Sequence, residues 1–145
     1  MSMKSLNPFW IVGFTDGEGC FHIGIAKNKS HTTGYQVLLE FVLVQHVRDV
    51  QLLHKIKDYF DCGVVRASHG NCMAYRVRDQ KHLAEIIIPF FEKHELCTKK
   101  KLDFLKFRKV MSMVTKNEHI TEASLEKIKN IKKALEDLSV APEEA

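Results

Sequence analysis

Asp16 and Glu18 stand two residues apart inside Ile11-Val12-Gly13-Phe14-Thr15-Asp16-Gly17-Glu18-Gly19, a stretch that carries three of the seven glycines and occurs once. Carboxylates set this close suit a hard divalent cation. Such cations neutralise a phosphoryl oxygen and make a bound water nucleophilic. Glu18, even helped by Asp16, supplies only part of the ligand set that such a cation takes. The same acids could instead decorate a helix-to-strand turn, and Asp16 in particular suits a turn or cap hydrogen bond.

A helix must carry these residues into place. Asn7 has the side chain of an N-cap, and Pro8 fits the first turn, where no amide donor is needed. Phe9, Gly13, Asp16 and Gly17 recur at helical spacing, so their shared face is narrow and nearly bare, and another backbone can approach it closely. Glu18 emerges at the C-terminal end of that helix, just before Cys20-Phe21-His22-Ile23.

The segment from Cys20 to Asn28 then alternates, with Phe21, Ile23 and Ile25 on one side and His22, Gly24, Ala26 and Asn28 on the other. After a turn-rich loop, Val37, Leu39, Phe41 and Leu43 oppose Gln36, Leu38, Glu40 and Val42. These two strands form a hairpin with one greasy and one wettable face. Leu52, Leu53, Ile56 and Phe60 mark a helix ended by Cys62-Gly63. A second hairpin, Val64 to Ser68 and Cys72 to Arg78, places Arg76 and Arg78 with Ala74 and puts Tyr75 and Val77 opposite. Asp79 can cap the next helix, with Pro89 as its break. Thr98 and Thr121 begin two more, and Phe104, Phe107, Met111 and Met113 are core groups. The order predicts an α+β, αββαββα-type fold: one four-stranded antiparallel sheet with helices on one face, leaving the other face free for a ligand.

Composition bounds the rest. The chain has 145 residues, 45% of them hydrophobic, enough for one domain over 7–140 with an acidic tail, 141–145, expected to fray. A net charge of +4 and a pI near 8.9 permit a polyanionic partner without demanding one. Cys20, Cys62, Cys72 and Cys97 are scattered, with no CxxC pair, and read as reduced thiols of an intracellular protein. No apolar run reaches the ~18 residues of a membrane span, and Met1 to Asn7 lack the core of a signal peptide.

Ile11 to Gly19 resembles the nine-residue signature of the LAGLIDADG homing endonucleases, with Gly13, Asp16 and Gly19 matching literally and Glu18 standing for the usual last acid. Val12 occupies a position where that signature prefers alanine, and Thr15 replaces a larger apolar residue. The element order from Asn7 to Leu138 is similar to the same family, as are Phe41 to Asp49 and Pro89 to Lys101, particularly in the intron-encoded organellar branch. The chain is also similar to one half of the two-signature enzymes, and so could be an isolated or re-engineered half.

The resemblance implies a site-specific double-stranded DNA endonuclease. Two signature helices would pack about a twofold axis through Phe9, Val12, Gly13, Asp16 and Gly17. One signature per chain then implies a homodimer on a near-palindromic target. Glu18, with the Gly17 carbonyl, would bind Mg²⁺, two or more cations being shared across the dimer and Ca²⁺ substituting without turnover. Gln45 matches a family position near the active water, and Lys100, within Lys99-Lys100-Lys101, a lysine beside the cut. A solvated glutamine and a plain basic turn are the rival readings. The bases would be read in the major groove by His22, Gly24, Ala26, Asn28, Gln36, Leu38, Glu40, Val42, Arg66, Ser68, Ala74, Arg76 and Arg78, with Glu40 placed to meet a cytosine amine. Lys27, Lys29, Arg48 and Lys116 would meet phosphate.

An RNA-splicing maturase or a catalytically silent DNA-binding half-domain is the alternative from another class, and a small-ligand module dimerising through its helix is a third. No membrane or small-molecule substrate is expected. A mitochondrial or chloroplast location follows from the resemblance alone.

Overall fold

The computed structural model describes residues 6–116 and 121–139, with no account of the side chains of 135–139. The expected tail therefore falls outside the described residues. Helix α1 spans Pro8–Glu18, opened by the Phe9 amide donating to Asn7 Oδ1 at 2.8 Å. It runs directly into strand β1, Gly19–Lys27, which turns back as β2, Tyr35–His46. After a 3-10 turn, α2 spans Val50–Phe60 and ends at Asp61, whose φ of 57° reverses the chain. Strands β3, Val64–Ala67, and β4, Cys72–Val77, complete a sheet of order β1-β2-β4-β3, antiparallel throughout. Helices α4, Lys100–Thr115, and α5, Glu122–Ser139, close the chain.

Pro89 does not break the intervening helix. An α-turn at Gln80–His82, a π-helical stretch at Leu83–Ile87 and an α-helix at Ile88–Lys93 run on without leaving helical dihedrals, together forming α3. Proline lacks an amide donor and its ring crowds the carbonyl one turn back. The wider π-turn just upstream is where this helix departs from regular i→i+4 pairing, so it bends its ladder rather than ending. The Asp79 cap is present, with Oδ1 accepting from the His82 amide at 3.0 Å.

Strand alternation sets the layers. Phe21, Ile23, Val37, Leu39, Phe41, Leu43, Tyr75 and Val77 point to one face, all within 5% exposure, and pack with residues of every helix into one core. Phe21 is its hub, its ring lying 5.2–5.5 Å from those of Phe41, Phe91, Phe104 and Phe107. Tilted and edge-on pairs at these separations add attraction to the area they bury. Tyr75 keeps its hydroxyl satisfied in the core by donating to the Cys62 carbonyl at 2.9 Å, and burial pushes its ionisation far up. The helices thus occupy the face carrying the apolar set, and the α+β expectation holds.

Candidate active site

Glu18 is the last residue of α1 and is exposed. The helix hands over to β1 without a loop because Gly19 is buried against the last turn, its amide donating to the Thr15 carbonyl. A Cβ on Gly19 would come within 2.8 Å of that carbonyl oxygen, so only glycine fits there without a shift. Gly13 and Gly17 are the opposite case, since a Cβ on either would meet nothing within 4 Å. Both are exposed, and with Phe9 at 73% and Trp10 at 39% exposure they form the outward face of α1. Trp10 was missed by the sequence reading. The available signal was its spacing, since Trp10 lies three residues before Gly13 and residues three apart are neighbours on one helix face.

Two expected members of this face are engaged inside the chain. Val12 is 6% exposed and belongs to the core, on the side of α1 that packs toward the sheet and away from Gly13. Asp16 accepts hydrogen bonds from the Cys97 amide (3.0 and 3.2 Å), the Thr98 amide (3.0 Å) and the Thr98 hydroxyl (2.6 Å). Burial pushes its carboxyl upward, but these donors and the Lys100 charge outweigh it and hold the group below the usual carboxylate value. Asp16 therefore pins the segment before α4 to the end of α1.

That pin places Lys100. Its Nζ donates to the Gly19 carbonyl at 2.5 Å, one residue from Glu18. The flanking lysines are spoken for by carboxylates: Lys99 pairs with Asp103 at 2.9 Å and Lys101 pairs with Glu95. The Lys99-Lys100-Lys101 run thus divides, with one of the three aimed at the acidic junction. Gln45 lies two residues beyond the Gly19↔Leu43 pair, at the end of the sheet where α1 enters. Its Oε1 accepts from the adjacent His46 amide at 3.0 Å. Glu18, Lys100 and Gln45 are therefore brought to one end of the molecule from three separate elements.

Hard-cation chemistry there rests on oxygen donors, namely the Glu18 carboxylate and nearby backbone carbonyls. Among the described residues, no group of three or more His, Cys, Asp or Glu side chains could hold a metal. The donors present fit part of a divalent-cation site and leave room for ligands from outside the chain.

The open face of the sheet carries the expected outward set in register: His22 opposite Glu40, Gly24 opposite Leu38, and Ala26 opposite Gln36. Leu38 is 47% exposed there. Asn28 donates to Gln36 Oε1 at 3.2 Å, and Ser68 shares a hydrogen bond with His69 Nδ1 at 3.2 Å. Arg66 is exposed on the edge strand.

Three residues expected to read bases are buried. Val42 is 7% exposed and Ala74 is fully buried, since each is a short side chain in a central strand flanked by long neighbours, Arg76 beside the first and Arg66 beside the second. Glu40 is 9% exposed, with Arg76 Nη1 donating to Oε1 at 3.1 Å and Arg78 Nε donating to Oε2. It holds arginines rather than facing a cytosine amine. Two concavities, of about 360 and about 540 Å³, lie on either side of Arg78. No described helix is long and apolar enough to cross a membrane.

Comparison with known proteins bears directly on this arrangement. "Probable intron-encoded endonuclease 2" of Neurospora crassa is 37% identical over 125 residues, 85% of this chain and 28% of the relative. The chain spans less than half the length of these curated relatives, from 20% to 44% of them. The crystal structure of a homing endonuclease, I-TnaI, superposes with a TM-score of 0.86 at 47% identity, covering 89% of this chain and 87% of that one. I-SmaMI bound to uncleaved DNA in the presence of calcium ions superposes at 0.89 with 29% identity, over 93% of this chain and 46% of that one. The model of the LAGLIDADG endonuclease family matches residues 11–111, from the first residue of the signature into the second half of α4. By that match, and by the fold it shares with these structures, the chain belongs to the LAGLIDADG endonuclease family.

Proposed function

We propose that the protein is a site-specific double-stranded DNA endonuclease, working as a homodimer on a near-palindromic target and hydrolysing phosphodiesters with divalent metal. The observation that carries this reading is the placement of an exposed acid, Glu18, at the end of a helix whose glycine face is open, with Lys100 one residue away. Helix axes ordinarily pack ~8–10 Å apart, and glycine permits the close end of that range. A twofold axis along this face would set one Glu18 beside the other. The match to I-TnaI over nearly its whole chain supports a self-assembling unit, and the match to about half of I-SmaMI supports two such units per cleavage site.

Glu18 and the Gly17 carbonyl would hold Mg²⁺, and Ca²⁺ would occupy the same ligands without turnover. Divalent cations held there would supply charge neutralisation at the scissile phosphate and activate a water for attack. Gln45 orients that water. Lys100 offers a positive charge to the phosphate from the position its bond to Gly19 now fixes. The open sheet face lies in the major groove, where Arg66, Arg76, Arg78, His22, Gln36 and Leu38 present donors, acceptors and an apolar contact to base edges. Lys27, Lys29, Arg48 and Lys116 meet phosphate and fix register without reading sequence. Relatives named for ND4 and Cox1 introns support an organellar setting.

The test is cleavage selection from a library of near-palindromic duplexes, followed by linearisation of a plasmid carrying the selected target in Mg²⁺. Glu18→Gln should bind that target and cut more than about 100-fold slower. A variant that cuts at the parent rate would remove Glu18 from the site. Sedimentation showing a monomer at micromolar concentration, with cleavage intact, would remove the two-copy arrangement.

A further inference from the structure

Glu40 is a carboxylate near the centre of the open face, only 9% exposed, gripped by two guanidiniums. Left bare, it would repel phosphates and the acceptor-rich edge of guanine. With Arg76 and Arg78 upon it, the trio carries net positive charge. The two arginines are held differently. Arg76 uses Nη1 and is 30% exposed, whereas Arg78 uses Nε and keeps 71% of its side chain exposed. A guanidinium tethered through Nε still has both terminal nitrogens, the pair that can donate side by side to two acceptors. Arg78 follows Val77, the last β4 residue in register with β2, and lines both concavities of the face. Arg78 is therefore the residue that the two concavities share.

We propose that Glu40 is a positioning residue for base recognition, orienting Arg78 so that its terminal nitrogens meet O6 and N7 of one guanine in each half of the target. The inference rests on the DNA reading above and adds which base is read and how. Adenine presents an amine where guanine presents O6, so a fixed donor pair rejects it. Tethering also removes the rotamer freedom that a loose arginine would lose on binding.

The test is a binding profile, measured in Ca²⁺ on duplexes randomised across one half-site. The parent should prefer guanine at one position. Glu40→Gln and Arg78→Lys should each lower that preference about tenfold or more, the double variant no further, with all other positions unchanged. Melting curves report whether each variant folds, and the position-specific profile is a readout that a merely structural role for Glu40 would not move. A guanine preference that survives Arg78→Lys, or Glu40→Gln weakening every position equally or none, overturns the inference. A parent that binds no duplex at all would instead overturn the DNA reading.

Discussion

On the covered face of the sheet, Phe21, Phe41 and Tyr75 sit within ring contact of one another or of the helices, and the Tyr75 hydroxyl lies beside the buried Cys62 thiol. One residue along the same strands, the open face holds His22, Leu38, Glu40, Arg76 and Arg78. Both faces come from one backbone, so the difference is entirely in what alternate side chains meet. Inside, each group is fixed by its neighbours at near-crystalline density, and specificity of fold is the product. Outside, groups are held by a few directed bonds, and the remaining donors are left for a partner. Helix α1 repeats the contrast, with Ile11, Val12 and Thr15 buried inward and Phe9, Gly13 and Gly17 turned outward.

That contrast can be broken by exchange of side chains. Phe41→Ala should cost about 3–5 kcal/mol by the cavity it leaves, read as a fall in thermal midpoint. Leu38→Ala, on the open face, should change stability by no more than ~0.5 kcal/mol while weakening DNA binding. Equal effects on stability would mean that the two faces are not distinct.

Asp16 offers a sharper cut, because its bonds to Cys97 and Thr98 belong to folding and their consequence belongs to the site. Asp16→Ala should cost about 1–2 kcal/mol and slow cleavage, since the segment that carries Lys100 is released. The sign with pH follows from a folded carboxyl held below its unfolded value. Its contribution is full above the unfolded value of about 3.9 and is lost as pH falls through the lowered folded value. The parent should therefore lose stability on acidification more steeply than Asp16→Ala, and parallel curves would remove the proposed pin.

The smallest effect carries opposite signs. Gly13→Ala adds a Cβ to open space and should stabilise the isolated chain by up to about 1 kcal/mol, because glycine is a poor helix former. The same Cβ would stand in the seam between two chains, so sedimentation should show weaker dimers and cleavage should fall. A variant that is more stable and equally dimeric would move the interface elsewhere.

Much of this molecule was legible from local pattern. Period-two alternation assigned nearly every strand residue to its face, and Asn7, Asp79 and Thr121 cap where short polar side chains precede a helical run. Pro89, the pair Val42 and Ala74, and Glu40 were misread for one reason, that pattern gives direction but not surroundings. Pro89 looked like a stop, and the π-turn that accommodates it depends on how α3 packs. Val42 and Ala74 point outward, yet their exposure is set by the longer side chains beside them on neighbouring strands. Glu40 reads as a free acid until β4 brings Arg76 and Arg78 against it from 36 and 38 residues away.

The sequence by itself determined the layers, the capped helices, the bare glycine face and the acid at its end, because each is a matter of residues within one or two turns of each other. Only the tertiary structure decided that Asp16 ties down the segment before α4, that Lys100 reaches the Glu18 junction, and that Glu40 holds arginines. Those outcomes depend on which of several charged groups wins a given partner. That contest is settled by distances across the fold, which no local spacing contains.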